Sequence, residues 1–529
     1  MPGLRPLLVL LATLAVPLAI AADPSTLRKG NGPEPESLDP HKARSVSAQN
    51  VVRDLFEGLV GESPEGTLVP GAAEGWETSE DGRTWTFHLR EGLRWSNGDP
   101  LTADDFAAGL RRSADPATGG RSPQILAPIE NALAVVAGKL PSSQLGVDVL
   151  DTTTLRIRLA SATPYFLGML AHPATFPVHR DSLARDGTAF TSPGRLVSNG
   201  AYRLAARVTH SHLVLERNRR YWNDAHTAIE RVVVVTTEDG NAEFKRFRAG
   251  ELDWTEAVPA SQAAWVRAHL ADVYHVHPYL GVYFYGFNVT RPPFQDNPAL
   301  RRALALAVDR DVIVQKVLGS GERAASGWIP PGVAGYRGVE GPWAGLARER
   351  RLAEARRLYA EAGYSASNPL DVEIRYNTND DQRKIATAIA AMWKQWLGVR
   401  PHLVNQEMKV FLQNRRMKVE TQVYRASWIG DYDDAFTFLE PLRAGSGVND
   451  AGWSNPRYET LLVQAAAERD MAARERLMQQ AEQVLLDDLP VLPIYHYVSK
   501  RLVSRRVTGW KPNLMDHHYA KDMRLEAGR

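Results

Sequence analysis

The stretch Trp85-Thr86-Phe87-His88-Leu89-Arg90 places a large apolar side chain at every second position, with polar ones between. A period of two predicts a strand with one buried and one wet face. An Asp81-Gly82 turn precedes it, and Trp95 runs into a second turn at Asn97-Gly98. Thr102-Ala103-Asp104-Asp105 then leads into Phe106 and Leu110. Here a helix should start, because Thr102 can accept from the backbone of its first turn while Asp105 reaches back, as in a capping box. Strand, turn and helix in one short span argue for a mixed α/β chain.

Working outward, the same alternation of periods persists. Val232 to Val235 is a β-branched run suited to a buried strand, and Tyr283-Phe284-Tyr285-Gly286-Phe287 is an aromatic strand candidate. Asn297-Pro298 opens a helix whose apolar positions Leu300, Ala303, Leu304, Ala307 and Val308 recur at helical spacing, with Asp309 to Asp311 at its polar end. A second amphipathic segment runs through Leu352, Ala355, Leu358, Tyr359 and Ala362 to Gly363, where a left-handed cap is expected. The Arg348 to Arg351 cluster reads as a solvated face of that helix.

The chain has 529 residues, of which 44% are hydrophobic and 23% charged. At roughly 100 to 200 residues per domain, two to four domains are expected, with clefts between them. Lys+Arg of 63 against Asp+Glu of 61 leaves +2, so neither a nucleic-acid footprint nor a polybasic membrane patch is present. The absence of cysteine excludes thiolate metal sites, thiol nucleophiles and disulfides. Arg5, the apolar run Leu7 to Ile20 and the small-residue pattern Ala19-Ile20-Ala21 read as a signal peptide over residues 1–21. Its run falls short of the roughly 20 apolar residues of a comfortable membrane span, and no cysteine follows to carry a lipid. A periplasmic location is the expectation.

Recognisable catalytic and metal chemistry is missing. His210-x-His212, His275-x-His277 and His517-His518 lack a third ligand at characteristic spacing. Asp431-Tyr432-Asp433-Asp434 fails as a calcium loop, because Phe436 and Leu442 stand where glycine and a bidentate acid are required. Gly319-Ser320-Gly321-Glu322-Arg323-Ala324 fits a dinucleotide fingerprint only superficially, since a helical segment precedes it. No nucleophile elbow, zinc-protease motif or phosphate-binding loop occurs. No metal and no cofactor are expected.

Ser37-Leu38-Asp39-Pro40-His41-Lys42, then Arg53-Asp54-Leu55-Phe56-Glu57-Gly58-Leu59, resemble the periplasmic oligopeptide-binding proteins that feed ABC importers, the peptide/nickel-type solute-binding proteins of family 5. The likeness continues through Trp95 to Gly98, Asn199-Gly200-Ala201-Tyr202, Tyr221-Trp222-Asn223, Glu361 to Tyr364 and Tyr495 to Val498, in the family's order. It implies a two-lobed α/β binding protein with a hinge of two crossing segments and an extra inserted domain, three domains in all. Carried over, the first lobe is discontinuous (22–56, 182–280 and 499–529), the inserted domain is 57–181 and the second lobe is 281–498. The implied function is capture of peptides of about three to five residues between the lobes, for delivery to an inner-membrane permease by a non-enzymatic monomer. Rivals are another solute on the same fold (murein peptide, dipeptide, nickel chelate) or a secreted peptide hydrolase or chaperone.

By the same resemblance Asp431 receives the peptide ammonium, and Arg425 and Arg415 receive carboxylates of peptides of different length. Backbone at Ser45-Val46 and from Ala426 through Ser427 to Ile429 pairs with the extended ligand, and Trp428, Tyr279 and Phe411 are candidate walls for its side chains. Three positions depart from the family: Arg44 replaces an acid, Met408 a tryptophan and Gln382 a histidine. Gly281 and Ile429 stand where relatives carry a disulfide. Without the resemblance, Asp431 would cap a turn beside Asp433 and Asp434, each arginine would pair with Glu420 or Asp431, and each aromatic would be lobe core.

Overall fold

The computed structural model describes residues 25–120, 122–418 and 420–526; the signal-peptide expectation for residues 1–21 lies outside them. Three larger sheets organise the chain. In the first, Thr26–Gly30 lies parallel to Arg231–Val235, which pairs antiparallel with His212–Arg217, and that strand with Tyr202–Val208. Arg231–Val235 is flanked on both sides, as its continuous valines lead one to expect. The second sheet is an antiparallel set in the order Ala73–Thr78, Thr84–Leu89, Thr154–Arg158, Val147–Val149. Trp85, Phe87 and Leu89 point into its core, as their alternation predicts. The helix behind it, Ala103–Ala114, begins where Asp105 accepts the Thr102 backbone N–H at 3.0 Å. One continuous hydrophobic core joins these two sheets.

The third sheet has the order Arg323–Ala324, Val491–Leu502, Tyr274–Phe287, Val423–Ile429, Asp371–Asn377, Arg400–Gln406 and is covered by helices in a separate core. Tyr274–Phe287 and Val491–Leu502 are its longest strands. They pair in three blocks, with the register broken between Pro278 and Val282 and shifted again between Tyr283 and Phe284. Beyond the break, one end packs with Phe244, Val258 and Val273 near the first sheet, and the other lies in the core of the third. Two strands therefore carry the chain from lobe to lobe, which makes the molecule a two-lobed α/β binding protein.

Gly363 has φ +90° and ends the helix Arg348–Glu361 as expected. The solvated reading of Arg348 to Arg351 needs correction at its last residue. Arg351 is buried and donates to the carbonyls of Leu306 and Val308, which lack helical partners at the end of Pro298–Leu306.

Candidate functional site

Between the lobes lies a cavity of about 930 Å³. One wall is the helix Val46–Leu55, capped by the Ser45 hydroxyl on the Ala48 N–H at 3.1 Å. Opposite stand Trp428, Ile429 and Asp431, from the end of the strand Val423–Ile429, with Tyr279 from the bridging strand. The Asp431 backbone N–H is held by the Thr437 hydroxyl at 3.0 Å, and Oδ2 accepts from Gln124 at 3.2 Å. Burial pushes its carboxyl up to about 6, against the Gln124 hydrogen bond and the fields of Arg44 and Arg53. Asp431 forms no ion pair among the described residues. It is an acid facing enclosed space with no described cation in contact, Arg44 and Arg53 acting on it only from a distance. Burial likewise lifts Glu440, on the same wall, to about 7.

Arg425 lies near the other end of this run. Its Nε donates to Gln382 Oε1 at 3.0 Å, and its guanidinium lies 5.4 Å from the Tyr283 ring centroid. Gln382 also accepts the Tyr283 hydroxyl, so it orients both groups. No described carboxylate pairs with Arg425; its titratable neighbours are the uncharged hydroxyls of Tyr283, Tyr495 and Tyr497. Neither Arg425 nor Gln382 lines the cavity. Along the intervening backbone, the strand Tyr274–Phe287 pairs through Ile429, whereas Asp371–Asn377 pairs only with Val423 and Tyr424. One edge from Ala426 to Ile429, including Ser427, therefore has no strand beside it. Backbone edge, unpaired anion and unpaired cation lie within seven consecutive residues.

The comparisons with known proteins bear on this arrangement. Residues 67–450 match the bacterial extracellular solute-binding proteins, family 5 middle. The chain belongs to this family. It is 38% identical to the periplasmic oligopeptide-binding protein OppA of Escherichia coli over 97% of each chain. It is also 38% identical to the probable deoxycholate-binding periplasmic protein YgiS of Escherichia coli, over 96% of this chain and 94% of that one. Among solved structures, the Escherichia coli murein tripeptide binding protein MppA superimposes with a TM-score of 0.86 at 37% identity, covering 94% of this chain and 98% of that one. Against an MppA structure in its unliganded open form the TM-score is 0.79, at 37% identity and 95% and 98% coverage.

Other expected positions fall away from this family's cleft as it stands here. Phe411 is fully buried in the core of the third sheet and does not wall the cavity, because helical period turns it inward from Met408–Met417. Met408, at the start of that helix, is 43% exposed and outside the cavity. Arg415 is ion-paired with Asp450 at 2.5 Å. Near the other wall, the Arg44 and Ser45 N–H groups and the Ser45 hydroxyl are all taken by Glu36, with the first at 2.6 Å and the second at 2.9 Å. Ser45-Val46 is thus not the open edge expected, although Arg44 and Val46 both line the cavity. Gly281 and Ile429 are cross-strand partners, and a Cβ on Gly281 would meet Ile429 Cδ1 at 2.5 Å. The isoleucine fills the space that a linking side chain would need.

The residues missed by sequence reasoning are Gln49, Arg53, Gln124 and His172, which all line the cavity. Gln49 and Arg53, four apart on a helix, share a face, so that pairing was legible. Gln124 and His172 come from distant loops and carried no local signal.

Proposed function

We propose that this protein is the periplasmic substrate-binding component of an ABC importer, and that it captures short zwitterionic peptides in the interlobe cavity. The observation that carries the reading is the pair of uncompensated charges, Asp431 and Arg425, at the ends of one unpaired backbone edge. Removing a charge from water costs several kcal/mol unless a partner arrives, so each invites the opposite terminus of one ligand. At about 3.3 Å per residue, six steps from Arg425 to Asp431 span about 20 Å, and an extended pentapeptide covers about 17 Å. Backbone pairing between the termini is blind to side-chain identity. Arg415, held by Asp450, must exchange partners to serve any carboxylate.

Relatives of equal identity bear names with different ligands, an oligopeptide for one and deoxycholate for another, so overall similarity does not choose between them. The charge pair favours the peptide. On this reading the first lobe is 22–56, 182–280 and 499–529, the inserted domain 57–181 and the second lobe 281–498, with the hinge at the register break between Pro278 and Val282. The protein acts as a monomer, returns its ligand uncleaved and passes it to a permease.

Calorimetric titration with tri- to pentapeptides having free, N-acetylated or C-amidated ends tests this. Blocking either end should weaken binding at least tenfold, the scale of one charged hydrogen bond. Asp431→Asn should weaken the free peptide similarly and become indifferent to acetylation. Equal affinity for free and doubly blocked peptides would end the peptide reading.

A further inference from the structure

Three residues on the cavity wall opposite Asp431, Gln49, Arg53 and His172, carry N–H donors that are poorly answered within the protein. Arg53 is only 7% exposed, yet among the described residues its one side-chain hydrogen bond runs from Nη1 to Gln49 Oε1 at 3.3 Å, Nε is buried without a partner, and no carboxylate pairs with the guanidinium. That bond commits the Gln49 oxygen and turns its amide nitrogen toward His172 Nε2, 3.3 Å away. His172, 3% exposed, accepts the Ala174 N–H at Nδ1 at 3.1 Å. Burial holds its pKa down to about 3, so the ring is neutral and its one proton sits on Nε2. Gln49 Nε2 and His172 Nε2 therefore meet donor to donor, which is no hydrogen bond. All three residues line the cavity.

Glu62, whose carboxyl the Arg53 charge helps hold low, makes its contacts elsewhere, as does Asp516. Glu62 accepts His517 at 2.7 Å and Tyr519 at 2.6 Å, and Asp516 is held by Arg501 and His518. We infer that Arg53, Gln49 and His172 form a subsite for a carboxylate on a ligand side chain near the amino end, so that peptides with an acidic residue in the first two positions are preferred. The place follows from Asp431, which feels the Arg53 charge across the cavity, and the carboxylate from a buried guanidinium that no described carboxylate touches, although Glu62 also feels its charge. This inference rests on the peptide reading given above.

The test is calorimetry with four tripeptides, Glu-Ala-Ala, Gln-Ala-Ala, Ala-Glu-Ala and Ala-Gln-Ala, on the wild type, Arg53→Met and Arg53→Lys. At least one acidic peptide should bind tenfold or more tightly than its amide isostere. The preference should vanish in Arg53→Met and persist in part in Arg53→Lys. If both Glu/Gln pairs bind the wild type within twofold, or the preference survives in Arg53→Met, the subsite is wrong while peptide binding stands. If none of the four binds, the peptide reading falls and the subsite with it. The wild-type comparison decides even if a variant does not fold.

Discussion

At the scale of a residue, Asp431 is governed by where its proton goes. Burial raises its carboxyl to about 6, so the empty cleft holds the neutral acid increasingly as pH falls through that value. A ligand ammonium favours the charged form and must lower this pKa in the complex. Affinity is therefore complete above about pH 6 and declines below it, approaching tenfold per pH unit, with proton uptake reversed on binding. Titrating a tripeptide between pH 4.5 and pH 7.5 in two buffers of different ionisation enthalpy checks both the slope and the released proton. Asp431→Asn should flatten the profile, and a wild-type affinity constant over this range would contradict the ammonium role. The same residue shows the limits of one-dimensional reading: its position in Arg425 to Tyr432 suggested the role, but the Gln124 partner and the burial come from segments over 300 positions apart and from packing.

At the scale of an element, the strand Val423–Ile429 is half paired, because Asp371–Asn377 accompanies it only as far as Tyr424. The free edge from Ala426 onward gives a peptide a ladder to complete. Methylating the central amide of a tripeptide removes one donor while keeping both termini. Affinity should fall about tenfold, since a net hydrogen bond contributes about 1 kcal/mol and a stranded acceptor costs more. Calorimetry against the parent peptide checks this, and unchanged binding would place the ligand away from the edge. The family resemblance marks the backbone from Ala426 to Ile429 as a ligand-pairing segment. That its partner stops short was not readable, because strand pairing is set by how distant segments dock.

At the scale of the molecule, aromatic contacts join the proposed inserted domain, through Tyr165, to the proposed second lobe. Tyr165 stacks on Tyr432 at 5.3 Å and on Phe436 at 4.9 Å, while Arg474 lies 4.8 Å over its ring and grips Asp434 at 2.7 and 2.8 Å. On the binding-protein reading this stacking favours the closed form, although Tyr165 and Phe436 also line the cavity, and a ligand's apparent affinity falls with the fraction of competent protein. Tyr165→Ala should therefore weaken every peptide by a common factor of about ten and leave any Glu/Gln preference intact. Small-angle scattering should show a larger empty molecule that contracts on adding ligand. A loss confined to some peptides would mean that Tyr165 is a pocket wall instead of a latch.

Local order was settled by the sequence alone. The strand through Trp85 and Leu89, the Thr102–Asp105 helix start and the Gly363 stop depend on period, capping and backbone freedom, which neighbours in the chain dictate. The tertiary structure decided which charges are answered. Arg415 has Asp450, Arg351 has two carbonyls, and Glu36 has taken the Ser45 backbone, whereas among the described residues no ion pair reaches Asp431, Arg425 or Arg53. Electrostatic compensation is a property of distances in space, and residues hundreds of positions apart supply or withhold it.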